Sequence, residues 1–96
     1  MDVLVTYDIE TVTPEGRRRL VRVAHTCEGF GTRVQYSVFE CRLSETRLQR
    51  LIDRLRDIID PSLDSVNFYR LPGSLTDART SIGRRMMREP GDPWVI

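Results

Sequence analysis

The stretch Arg33-Val34-Gln35-Tyr36-Ser37-Val38-Phe39-Glu40-Cys41 decides the fold: it reads either as one long strand or as two short ones broken near Tyr36-Ser37. Its β-branched and aromatic residues favour a pleated backbone. Alternation sets Val34, Tyr36 and Val38 on one face, and Arg33, Gln35, Ser37 and Phe39 on the other. Periodicity does not choose between one strand and two, so the flanks must say what each reading would mean.

Upstream, Val3-Leu4-Val5-Thr6-Tyr7-Asp8 is an apolar run of strand formers too short for a helix. It reads as a buried central strand that ends on a carboxylate. Residues 9–14 break the run, so Asp8 stands where a strand leaves the sheet. Thr13-Pro14-Glu15 then opens a helix, with Thr as N-cap, Pro at the first position and Glu in the first turn. Leu20, Val23, Ala24 and Cys27 follow at helical spacing and form its sheet-facing side. A left-handed cap at Gly29 or Gly31 is expected to close it. Downstream, Ser44 caps a second helix whose stripe is Leu48, Leu51, Ile52, Leu55, Ile58 and Ile59, and Asp60-Pro61 stops it. Ser65 to Leu71 reads as the last core strand, closed by Pro72-Gly73.

With two strands in the middle the order is βαββαβ, which is an α+β, ferredoxin-like sandwich over residues 1–71 with both helices on one sheet face. The other face is then bare, and a domain this small commonly buries such a face in a homodimer. Residues 72–96 read as an irregular tail broken by Gly83, Pro90-Gly91 and Asp92-Pro93. Its end, Trp94-Val95-Ile96, is expected to form an extra strand on a sheet edge, that of a partner subunit included.

Ninety-six residues make one domain with a modest core, and a net charge of +1 does not by itself point to nucleic acid. Every basic residue apart from His25 is Arg, and a genomic preference for Arg codons explains that as a whole. Only the placement of each Arg carries an argument. No apolar run reaches membrane-span length and the N-terminus lacks the regions of a signal peptide, so a cytoplasmic protein that meets no membrane is expected. Cys27 and Cys41 form no CxxC pair and read as reduced structural thiols, a poor case for zinc.

Familiar catalytic motifs are absent: the chain has no P-loop, no HExxH and no GxSxG elbow. His25 reads as a half-buried structural side chain on the flank of the first helix's stripe. Arg47, Arg50, Arg54 and Arg56 alternate with Asp53 and Asp57 as a solvated face with local ion pairs. Arg17, Arg18 and Arg19 are less ordinary, because a helix N-terminus disfavours cations. Together with the free N–H groups there they make a candidate anion site. The ordinary account of Asp8 is a turn-former. The alternative is a magnesium ligand, since this ion binds through one or two carboxylates plus waters and phosphates. On a two-fold axis, Asp8 from both subunits would share one ion.

Val5-Thr6-Tyr7-Asp8-Ile9 resembles the N-terminal strand of the small CRISPR-associated endonuclease, the second of the two core adaptation proteins. Arg17-Arg18-Arg19-Leu20 resembles that family's basic first helix. The block from Gly31 to Glu40 is similar to its most distinctive pattern, a glycine, then Arg-Val-Gln, one residue, then Ser-Val-Phe-Glu. Asp64-Ser65-Val66-Asn67-Phe68-Tyr69 resembles its last core strand. The tail after Leu71 departs from the pattern. The resemblance implies a homodimer that binds Mg2+ through Asp8 of both subunits and hydrolyses phosphodiesters of RNA or double-stranded DNA. It also implies a partnership with the CRISPR integrase in spacer acquisition. Candidate catalytic residues are therefore Asp8, Tyr7 and Ser37, and candidate nucleic-acid contacts are Arg17, Arg18, Arg19, Arg33 and Phe39. Two alternatives stand beside this one: a non-catalytic dimeric scaffold that positions DNA through phosphate contacts, and a toxin-like RNA-cleaving dimer outside CRISPR.

Overall fold

The structure, a computed structural model, describes residues 1–83. The deciding stretch forms two strands. β1 (Asp2–Asp8) leads to α1 (Pro14–Glu28), β2 (Gly31–Gln35) and β3 (Val38–Arg42) make a hairpin, and α2 (Glu45–Ile58), β4 (Ser65–Leu71) and the one-turn α3 (Leu75–Ala78) follow. Sheet order is β2-β3-β1-β4, antiparallel throughout, which is the ferredoxin-like arrangement. The ladder irregularity between Arg33 and Gln35 resets the alternation, and Tyr36-Ser37, which strict alternation assigns to strand faces, is the turn.

Cross-strand partners share a face, so Val5, Phe39 and Phe68 line up against the helices. The core is Val3, Val5 and Tyr7 of β1, Phe39 and Cys41 of β3, Val23 and Cys27 of α1, and Leu48, Leu51 and Leu55 of α2. Both caps read from the sequence form: Thr13 accepts from the Gly16 amide and Ser44 from the Arg47 amide. The cysteines are buried free thiols, and burial pushes Cys27 up to about 12 and Cys41 up to about 11, as inert structural residues require.

Four expectations need correction. The first helix does not end in a left-handed cap. Gly29 sits at φ −75° and ψ −9°, and the Gly29 and Phe30 amides donate to Thr26 and Cys27 carbonyls at 3.1 and 2.9 Å, tightening the last turn instead. Gly31 is required for proximity, because a Cβ there would run into Cys41 Sγ and the Glu40 carbonyl on β3. His25 is exposed, not half-buried, and its place in the last turn of α1 suits a cation.

Nor is the tail irregular from residue 72. Ser74 caps α3 by accepting from the Asp77 amide at 3.0 Å. The Leu75 amide donates to Asp2 Oδ2 at 2.8 Å, and Arg79 pairs with Glu40. Asp2 and Glu40 alternate with core residues, so this segment crosses the face opposite the helices, which is therefore not wholly bare. Trp94-Val95-Ile96 and Arg84, Arg85 and Arg88 lie outside the described residues.

Candidate active site

Asp8 is the last residue of β1, paired with Ser65 of β4, and its side chain is exposed. Among the described residues, no hydrogen bond or ion pair engages its carboxylate. Its neighbour Tyr7 is buried and fastens the β2–β3 turn to β1. The Tyr7 amide donates to the Ser37 carbonyl at 3.1 Å, and its hydroxyl donates to the Tyr36 carbonyl at 3.0 Å. Burial pushes the Tyr7 hydroxyl pKa up, with Arg33 nearby acting against it, so the phenol stays a proton donor near neutral pH. Tyr7, Asp8, Arg33 and Ser37 line one cleft of about 470 Å³ between this turn and α1.

The remaining candidates are placed less simply. Phe39 is 0% exposed and lies beneath the cleft, its ring centroid 6.2 Å from that of Tyr7. The Arg33 guanidinium sits 5.3 Å above the Phe39 ring, with an Nη2 to Glu28 distance of 3.9 Å. Phe39 therefore supports Arg33 and offers nucleic acid no surface of its own. Arg17, Arg18 and Arg19 are not among the cleft residues. Arg17 donates to the Thr11 and Val12 carbonyls at 3.0 Å each, Arg18 pairs with Glu15 at 3.6 Å, and Arg19 turns inward.

The anion at the α1 N-terminus is the protein's own. Glu10 accepts from the Thr13 amide at 2.6 Å and from the Thr13 hydroxyl at 2.8 Å, while that hydroxyl accepts from the Gly16 amide at 3.0 Å. These Thr13 bonds hold the Glu10 carboxyl below its usual range. Gly16 makes the approach possible, since a Cβ there would collide with the Glu10 carbonyl and carboxylate.

Asp64 anchors the same loop, although the sequence reading gave it no role beyond opening the last strand. Its side chain, 0% exposed, accepts from Arg19 Nε at 2.7 Å, the Glu10 amide at 2.9 Å and the Asp60 amide at 2.9 Å. Burial alone would raise the Asp64 carboxyl, but Arg19 and the two amides outweigh it and hold the carboxyl below the usual range. Arg19 also reaches Glu10 at 3.4 Å, so α1, the loop after Asp8 and the entry to β4 are clipped together. The only sequence signal was a charge pair 45 residues apart, which no local pattern connects.

A pH dependence follows. Asp64, Glu10, Asp60 and Asp2 are all held below their ordinary values in the fold. The stability they contribute is present above the unfolded carboxylate pKa of about 4 and is lost as pH falls through the folded values. Melting curves should stay level near neutral pH and drop steeply below about pH 4, with the drop reduced in Asp64→Asn.

No group of three or more His, Cys, Asp or Glu residues gathers among the described residues. The exposed Asp8 carboxylate, unengaged among the described residues, still fits the least that magnesium requires, with waters and phosphate oxygens supplying the rest. Among the described residues no helix is long and apolar enough to cross a membrane.

Residues 1–77 match the family described as CRISPR associated protein Cas2. The CRISPR-associated endoribonuclease Cas2 of Chlorobaculum tepidum is 54% identical over 71 residues, 74% of each chain. The CRISPR-associated endonuclease Cas2 of Halalkalibacterium halodurans is 39% identical over 96 residues, 100% of both chains. The crystal structure of Streptococcus pyogenes Cas2 superposes with a TM-score of 0.78 at 44% identity, covering 86% of this chain and 100% of that one.

Proposed function

The chain belongs to the CRISPR-associated Cas2 family, and on that premise we propose that it is a magnesium-dependent endonuclease, acting as a homodimer with the CRISPR integrase during spacer acquisition. The observation that carries this reading is the Asp8 carboxylate, exposed and, among the described residues, unengaged at the end of the central strand beside a cleft. The names of the relatives, endoribonuclease and endonuclease, support it.

Asp8 would hold the ion, one copy from each subunit. When bound, magnesium supplies a Lewis acid for a phosphoryl oxygen and lowers the pKa of a bound water. Arg33 places positive charge on the cleft wall and is steadied there by the Phe39 ring. Tyr7 spends its proton on the Tyr36 carbonyl, so it holds the turn and leaves general-base work to others. Ser37 belongs to that anchored turn and lines the cleft, and its hydroxyl is a neutral donor suited to a phosphate oxygen. The exposed Arg17 and Arg18 would meet the flanking strand. A dimer that only positions duplex DNA draws on those same exposed arginines, and cleavage separates the two readings.

The test uses labelled single-stranded RNA and labelled duplex DNA, each with magnesium and with chelator. Cutting that requires the metal is expected. Binding without cutting in every condition would leave the scaffold reading and remove this one.

A further inference from the structure

We propose that Asp64 is a positioning residue: its carboxylate fixes the chain just beyond Asp8 and so holds the Asp8 carboxylate in place for an ion. The inference rests on reading Asp8 as the metal ligand, and it names the group on which that ligand depends.

The β1–β4 ladder ends at Asp8, which pairs with Ser65, the first residue of β4. One residue earlier, the Asp64 backbone amide donates to the Asp60 carbonyl at 2.8 Å, inside its own turn. The Asp64 side chain then does what another rung of ladder would do, and Oδ1 accepts from the Glu10 amide at 2.9 Å. On the far side of β1, the Tyr7 amide donates to the Ser37 carbonyl at 3.1 Å. Asp8 and the buried Ile9 therefore lie between two tethered points, Tyr7 and Glu10.

The tether calls for a carboxylate in particular. Oδ1 also faces Arg19 Nη2 at 3.4 Å, while Oδ2 accepts from Arg19 Nε at 2.7 Å and the Asp60 amide at 2.9 Å. Both oxygens thus meet N–H donors, and an Asn amide would turn its own N–H groups against one set of them. Every one of these donors sits on a segment beside Asp8: α1, the loop after β1, or the turn into β4. Groups that hold a metal ligand in this way keep its geometry ready before the ion arrives. Disturbing them commonly weakens metal binding by roughly 10–100-fold.

A residue that only stabilised the fold would leave the folded protein's loop and its metal affinity unchanged. Two readouts are therefore taken well below the melting point of each protein: backbone amide order parameters from NMR relaxation, and calorimetric titration of magnesium. Wild type, Asp64→Asn and Arg19→Lys are compared, the last keeping the charge but losing the guanidinium fork should Asp64→Asn fail to fold. Order parameters at Ile9 and Glu10 should fall from about 0.85 to below about 0.6 in Asp64→Asn, with Val3 and Val5 unchanged. Magnesium affinity should fall about tenfold or more, and Arg19→Lys should move both readouts the same way by less. An ordered loop in the folded variants overturns the proposal, and so does an affinity within about twofold of a wild type that binds through Asp8. If the loop loosens as expected but wild type takes up no magnesium, the metal reading fails and the positioning of Asp8 stands.

Discussion

Replacing Asp64 by Ala should destabilise the fold by about 3–5 kcal/mol, the usual cost of removing one partner of a buried ion pair. The change would leave Arg19, whose side chain is 16% exposed, without its shortest ion pair. It would also strand the Glu10 and Asp60 amides, which donate to Asp64 at 2.9 Å each. Small domains have about 5–15 kcal/mol in all, so urea unfolding should show a large fall in midpoint with little change in slope. Asp64→Asn keeps the acceptor oxygen and should lose less. A loss under about 1 kcal/mol for Asp64→Ala would mean that the clip contributes little and the loop after Asp8 is held by packing alone.

The opposite profile is expected of Asp8. Among the described residues no hydrogen bond or ion pair is lost on replacing its exposed side chain with Ala, so stability should stay within about 0.5 kcal/mol of wild type. Cleavage should nonetheless collapse. A metal contributes several kcal/mol of charge stabilisation at a phosphoryl transition state. At about 1.4 kcal/mol per factor of ten, its loss lowers turnover on the order of a thousandfold. Single-turnover assays with a melting curve on the same preparation check both halves. A stable Asp8→Ala that cuts normally would place the chemistry elsewhere.

What the sequence made legible is whatever rests on local pattern. The strand from Val3, the Thr13 and Ser44 caps and the stripe of α2 are written in residues a few positions apart, and all of them form. Asp8 is legible as a strand-end carboxylate for the same reason. The hairpin stayed ambiguous because alternation runs unbroken through Tyr36-Ser37, and the ladder irregularity after Arg33 shows only when the strands pair. Arg19 looked like a phosphate contact because its partner Asp64 lies far along the chain, and burial alone makes that pair visible. Phe39 looked available because strand periodicity gives faces without saying which is covered. α3 was missed because its signal is one Ser cap, and what holds it is the distant Asp2.

Calorimetric titration of magnesium into the purified protein tests most directly whether Asp8 of two chains holds one ion, as proposed. Wild type should bind one ion per two chains, and Asp8→Ala, dimeric and equally stable, should bind none at that site. Equal binding by both proteins would contradict the account.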